Sequence, residues 1–89
     1  MVESKTTIKN KLGLHARAAV KFVNLANRFV SNVKIIKDGN VIDGKSILGI
    51  LTLAATNGSE IKLQASGKDE TAALKSLMEL IGNRFDEPE

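Results

Sequence analysis

The chain has 89 residues, 43% of them hydrophobic and 26% charged, with a formal net charge of +3, one histidine and no cysteine. That length holds one core burying about 60% of the unfolded surface, so residues 1–89 are expected to form a single domain of modest stability. No cysteine excludes disulfides and thiolate metal sites; a single histidine leaves no zinc set, and no cofactor is expected. Mild charge, three phenylalanines and no Trp or Tyr argue against nucleic-acid binding. Met1–Ile8 lacks the apolar core of a signal peptide. Ile47–Ala55, the longest apolar stretch, is too short to span a bilayer. The expectation is a cytoplasmic monomer without membrane insertion.

Residues 2–9, rich in β-branched side chains around Thr6–Lys9, read as a strand, and Asn10–Gly13 as a loop. Ala19, Phe22, Val23, Ala26 and Phe29 then recur at helical spacing, predicting a helix over 16–29 that Ser31 and Asn32 end. Val33, Ile35 and Val41 flank Asp38-Gly39, the signal of a two-residue hairpin. Ser46 is a good N-cap for a short helix carrying Ile47, Leu48, Ile50, Leu51 and Leu53, apolar nearly all round. Asn57-Gly58 turns the chain into a strand with Ile61, Leu63 and Ala65 facing in and Glu60, Lys62 and Gln64 facing out. Asp69 is placed to cap a last helix, with Glu70 in its first turn, a stripe of Leu74, Leu77, Met78 and Ile81, and Gly82 as its stop. An acidic tail, Asp86 to Glu89, closes the sequence. The order β-α-β-β-α-β-α predicts an α+β open-faced sandwich: four antiparallel strands with three helices on one face.

His15 stands where strand-like sequence passes into helix-like sequence, in Gly13-Leu14-His15-Ala16-Arg17-Ala18-Ala19. A helix start offers unpaired N–H groups and the positive end of the macrodipole, a ready anion site. A largely neutral imidazole is a nucleophile, and the guanidinium of Arg17 matches phosphate geometry. The backbone of Ala16, Arg17 and Ala18 adds donors without bulk. On spacing alone, a plain helix cap is the simpler reading. Ser46 is likewise explained by capping. The short helix after it cannot bury both faces, so Ile47, Leu48 and Leu51 form an exposed docking patch unless the sheet with Phe22 or Phe29 covers them. Asn57-Gly58-Ser59 matches a glycosylation sequon, for which chance is the better source without a secretory signal.

Gly-Leu-His-Ala-Arg at 13–17, Lys45-Ser46-Ile47-Leu48-Gly49-Ile50-Leu51 and the element order together resemble the HPr family, phosphocarriers of the bacterial phosphotransferase system. The likeness covers nearly the whole chain, and Asn10–Gly13 with the ending Phe85-Asp86-Glu87 is closer to the nitrogen-related branch, NPr. It implies that His15 accepts a phosphoryl group on Nδ1 from Enzyme I, assisted by Arg17, and passes it to an Enzyme IIA-type acceptor. Ser46 would be a regulatory phosphorylation site where an HPr kinase/phosphorylase exists, and Leu14, Ile47, Leu48 and Leu51 the docking surface. The protein would be a carrier, not an enzyme in its own right. The family usually has proline where this chain has Ala18, which frees one N–H and relaxes the turn. That departure supports a second reading, an HPr-like regulatory binding protein with reduced carrier activity.

Overall fold

The computed structural model describes residues 1–86. Its elements follow in the expected order: β1 (Val2–Thr7), α1 (Ala16–Ala26), β2 (Asn32–Lys37), β3 (Asn40–Asp43), α2 (Ile47–Leu53), β4 (Glu60–Ser66) and α3 (Glu70–Gly82). The strands form one antiparallel sheet in the order β1-β4-β2-β3. The fold is an α+β open sandwich.

Alternation along the strands decides which face is covered. In β4, Ile61, Leu63 and Ala65 are buried while Glu60 and Ser66 are exposed, and in β2, Val33 and Ile35 point inward. Of these, Ile61, Leu63, Val33 and Ile35 meet Phe22 and Ala26 of α1, Ile50 of α2, and Leu77 and Ile81 of α3 in one core. The β2–β3 connection is the two-residue hairpin expected of Asp38-Gly39. Both residues take positive φ, 51° and 83°, as a type I′ turn requires.

Four expectations need correction. β1 ends at Thr7 rather than at residue 9: Ile8 leaves the ladder, is buried, and bonds through its N–H to the carbonyl of Ser59 at 2.9 Å. α1 ends at Ala26, and Phe29, only half-buried, follows in a turn whose N–H bonds Ala26 O at 3.1 Å. Asp69 makes no side-chain cap to α3. Its carboxylate instead accepts from the N–H groups of Val30 and Ser31, each at 3.0 Å, and from the Ser31 hydroxyl. Gly82 does not stop α3 but is its last residue, with Asn83 as the C-cap. Along α3, Ala73 joins Leu77 and Ile81 as fully buried, while Leu74 and Met78 are half-buried at the core's edge. The chain then turns through Arg84–Asp86, all at positive φ. Burial of Phe85 and a 2.6 Å hydrogen bond from Lys21 Nζ to its carbonyl offset that strain. The expected acidic tail lies outside the described residues beyond Asp86.

Candidate functional site

The loop between β1 and α1 carries His15, and its position is set from outside. Gly13 lies at φ 68°, and a Cβ there would stand 2.5 Å from Ala55 O, so only glycine lets the loop close on the segment after α2. Leu14 N–H donates to the same carbonyl at 2.8 Å, and the Leu14 side chain is buried. Leu14 therefore belongs to the core and is not part of an exposed docking surface. His15 follows with extended backbone, φ −79° and ψ 178°, as the N-cap of α1.

The imidazole is half-buried, and its Nδ1 accepts the N–H of Arg17 at 3.2 Å. In that role Nδ1 holds an unprotonated lone pair directed at the first helical turn. Ala16 and Arg17 are exposed and Ala18 is buried, its side chain in the core. The N–H groups of Ala16 and Ala18, in the first turn, have no intrahelical carbonyl to accept them. No acidic residue lies in this turn to neutralise the helix dipole. A nucleophilic nitrogen and backbone donors meet at the start of α1, with Arg17 exposed in the same turn, the groups that phosphoryl binding uses.

α2 stands beside α1. Ser46 caps it, Oγ accepting Gly49 N–H at 3.0 Å, and Gly49 leaves room there, since a Cβ would come within 3.2 Å of that oxygen. Lys45 is not aimed at Ser46: its Nζ donates to Phe29 O at 2.7 Å, just beyond the end of α1. The sheet does not cover the outer side of α2. Leu48 is 73% exposed, with Ile47 at 39% and Leu51 at 37%. The apolar patch expected there is present, without Leu14.

Charge distribution adds a signal that motif reading missed. No Asp or Glu occurs between Glu3 and Asp38, a stretch holding Lys9, Lys11, Arg17, Lys21 and Arg28, and no charged residue occurs from Ser46 to Ser59. Within the first stretch Arg17 stands exposed in the first turn of α1 with no acid in the turn to offset it, and the flank at α2 is uncharged and apolar, suited to an anionic group and an apolar partner. The hollow of about 530 Å³ lined by Lys5, Lys37, Lys62 and neighbours includes no residue of α1 or α2.

Comparison with known proteins decides the kinship. Residues 2–83 match the family model described as the PTS HPr component phosphorylation site. The chain belongs to the HPr phosphocarrier family. The phosphocarrier protein HPr of Cupriavidus necator is 51% identical over 89 residues, with both chains covered in full. The crystal structure of an HPr from Thermoanaerobacter tengcongensis superposes with a TM-score of 0.96 at 44% identity, again covering both chains in full. A crystal structure titled as an HPr dimer, from the same organism, has a TM-score of 0.79 at 45% identity, covering 98% of this chain and 100% of that one. The expected HPr kinship and fold are therefore borne out. Like its relatives, this HPr-family chain is a component of the phosphocarrier type. Among the described residues no helix is long and apolar enough to cross a membrane.

Proposed function

We propose that this protein carries phosphoryl groups on His15 Nδ1, taking them from Enzyme I and delivering them to an Enzyme IIA-type acceptor. The observation that carries this reading is the Nδ1 lone pair facing the acid-free first turn of α1. In the free protein that lone pair accepts Arg17 N–H across a long 3.2 Å contact, a weak bond that is cheaply given up. As the donor's bond to phosphorus breaks and its electron pair leaves with the donor, Nδ1 forms the new P–N bond. The released Arg17 N–H, with those of Ala16 and Ala18, then donates to phosphoryl oxygens, and the Arg17 guanidinium offsets their charge. No chemistry beyond this reversible transfer is needed. The protein acts as a carrier with a phosphohistidine intermediate, as a monomer of one domain in the cytoplasm.

Ile47, Leu48 and Leu51 supply the apolar docking contact and the exposed Arg17 the electrostatic one. Ser46 is the proposed regulatory site for an HPr kinase/phosphorylase. A phosphate on its Oγ can still accept Gly49 N–H, while its charge burdens the adjacent patch without altering His15. Lys45, held by Phe29 O, does not need to take part.

Ala18 favours a second reading, regulatory binding with reduced carrier activity, because its N–H adds a donor that holds the phosphate longer. Incubation with phosphoenolpyruvate and Enzyme I separates the two. A carrier gains one acid-labile phosphoryl group and loses it promptly to an acceptor. A regulatory binder gains it slowly or keeps it. Repeating the assay with sugar-type and nitrogen-type Enzyme I assigns the branch.

A further inference from the structure

The loop that presents His15 has no regular structure between Thr7 and His15, so something else must hold it still. All the anchors named so far reach it from one segment, residues 55–59. Leu14 N–H bonds Ala55 O, Ile8 N–H bonds Ser59 O at 2.9 Å, and Gly58 N–H bonds Ile8 O at 2.8 Å. To these backbone bonds Asn57 adds a side chain. Its Nδ2 donates to Lys9 O at 3.1 Å and Asn10 O at 3.2 Å, two successive carbonyls of the loop. Asn10 in turn closes the loop on itself: its O accepts Gly13 N–H at 3.2 Å and its Nδ2 donates to Gly13 O at 2.7 Å.

Asn57 is not required by the turn it occupies. Thr56–Ser59 closes with Ser59 N–H on Thr56 O at 2.9 Å, and Gly58 at φ 88° is the positive-φ residue. That is a type II turn with Asn57 at its second position, where proline is preferred and asparagine has no backbone advantage. The turn is further fixed by Ser59 Oγ, which accepts Thr56 N–H at 3.0 Å. Asn57 is exposed, so it fills no core space. Its amide is left with one visible task, which is gripping the loop.

We infer that Asn57 is a positioning residue for phosphoryl transfer: its amide clamps the Lys9–Asn10 backbone and thereby sets where the His15 imidazole stands over α1. The inference rests on the carrier reading for its kinetic consequence, and on geometry alone for its structural one. Transfer demands that Nδ1 meet phosphorus in line, and a shift of a fraction of an ångström at the loop passes directly to the ring two residues after Gly13.

Asn57→Ala and Asn57→Pro test this together. Proline suits the turn, so Asn57→Pro should melt at or above the temperature of the unaltered protein while lacking the amide. Both variants should lose about tenfold in kcat for phosphorylation by Enzyme I with KM unchanged, since the α2 patch is untouched. Both should also shift the NMR signals of the His15 ring and speed hydrogen exchange at Arg17 N–H. Unchanged kcat with unchanged His15 and Arg17 signals would overturn the inference. So would a defect confined to Asn57→Ala and repaired in Asn57→Pro, which assigns Asn57 to the turn. Should the unaltered protein accept no phosphoryl group, the carrier reading fails, and the His15 and Arg17 signals still decide whether Asn57 is a clamp.

Discussion

The first turns of α1 and α3 solve the same physical problem in opposite ways. Each presents unpaired N–H groups and partial positive charge. At α3 that charge meets carboxylates: Glu70 occupies the first turn, its Oε1 accepting Gly67 N–H at 3.2 Å and its Oε2 lying 3.2 Å from the N-terminal ammonium. Asp69, beside it, ties the start of α3 to Val30 and Ser31. At α1 the first turn holds no acid, and the cap is the imidazole Nδ1 on a long hydrogen bond. One helix start has carboxylates of the chain beside it, without a side-chain cap. The other holds no acid of its own, and in the proposed carrier it is the end that receives the phosphoryl group.

Removing the carboxylate that ties the start of α3 to Val30 and Ser31 should have the largest effect on stability. Hydrogen bonds from Ser31 Oγ, then from the Val30 and Ser31 N–H groups, hold the Asp69 carboxyl below the usual carboxylate pKa. Gly67 N–H and the N-terminal ammonium do the same for Glu70. A carboxyl depressed in the folded state binds its proton more readily when unfolded, so its stabilisation is complete above the unfolded pKa. It is lost as pH falls from there through the lower folded value. Asp69→Ala should therefore lower Tm clearly near neutral pH and flatten the loss of stability between pH ~5 and ~2. Thermal melts across that range check this; an unchanged acid limb would remove Asp69 from the account.

Adding a carboxylate at the start of α1 is the converse. Ala16→Glu places an acid in the first turn of α1, which should stabilise the helix by about 0.3–1 kcal/mol. The same charge should slow phosphorylation by Enzyme I by at least about tenfold, because it competes with the phosphoryl group for the same donors. Tm and single-turnover rate measured on one sample decide whether the two properties move oppositely. A variant more stable and equally fast would show that the absence of acid at α1 has no functional meaning.

α2 provides an intermediate case, capped by an uncharged hydroxyl. Ser46→Asp and Ser46→Asn both retain a cap, but only the first adds charge beside Ile47, Leu48 and Leu51. The aspartate should slow transfer from Enzyme I several-fold relative to the asparagine, with its Tm no lower. Equal rates would leave Ser46 as a cap alone. The smallest effect belongs to Ala18→Pro. The Ala18 N–H has no intrahelical acceptor, so proline forfeits no helix bond and should stabilise by about 0.4–1 kcal/mol. It should also speed release of the phosphoryl group to an acceptor, which a chase with acceptor protein measures.

Features governed by neighbouring residues were legible in the sequence. Asp38-Gly39 made its hairpin and Ser46 its cap because both depend on backbone preferences within a few positions. The exposure of Ile47, Leu48 and Leu51 followed from a short helix that is apolar on more than one side. Asp69 was misread because its partners, Val30 and Ser31, lie 38–39 residues away, and no local rule announces them. Leu14 was misread for the same reason: the carbonyl of Ala55 draws it inward, while adjacency to His15 suggested the surface. Gly82 was read as the stop, and the helix includes it as its last residue before the Asn83 cap. At His15 the choice between cap and acceptor could not be resolved locally, because the proposed acceptor, Nδ1, is the same atom that caps the helix. In the proposed carrier, Nδ1 caps the helix in the free protein and bonds phosphorus in the phosphorylated one.

That dual use of one nitrogen is most directly tested by NMR of protein with a 15N-labelled imidazole, before and after phosphorylation with phosphoenolpyruvate and Enzyme I. The account predicts phosphorus coupled to His15 Nδ1, with the Arg17 amide moving as its acceptor changes from ring nitrogen to phosphoryl oxygen. Phosphorus on Nε2, a label that persists in His15→Ala, or an Arg17 amide that does not move would contradict it.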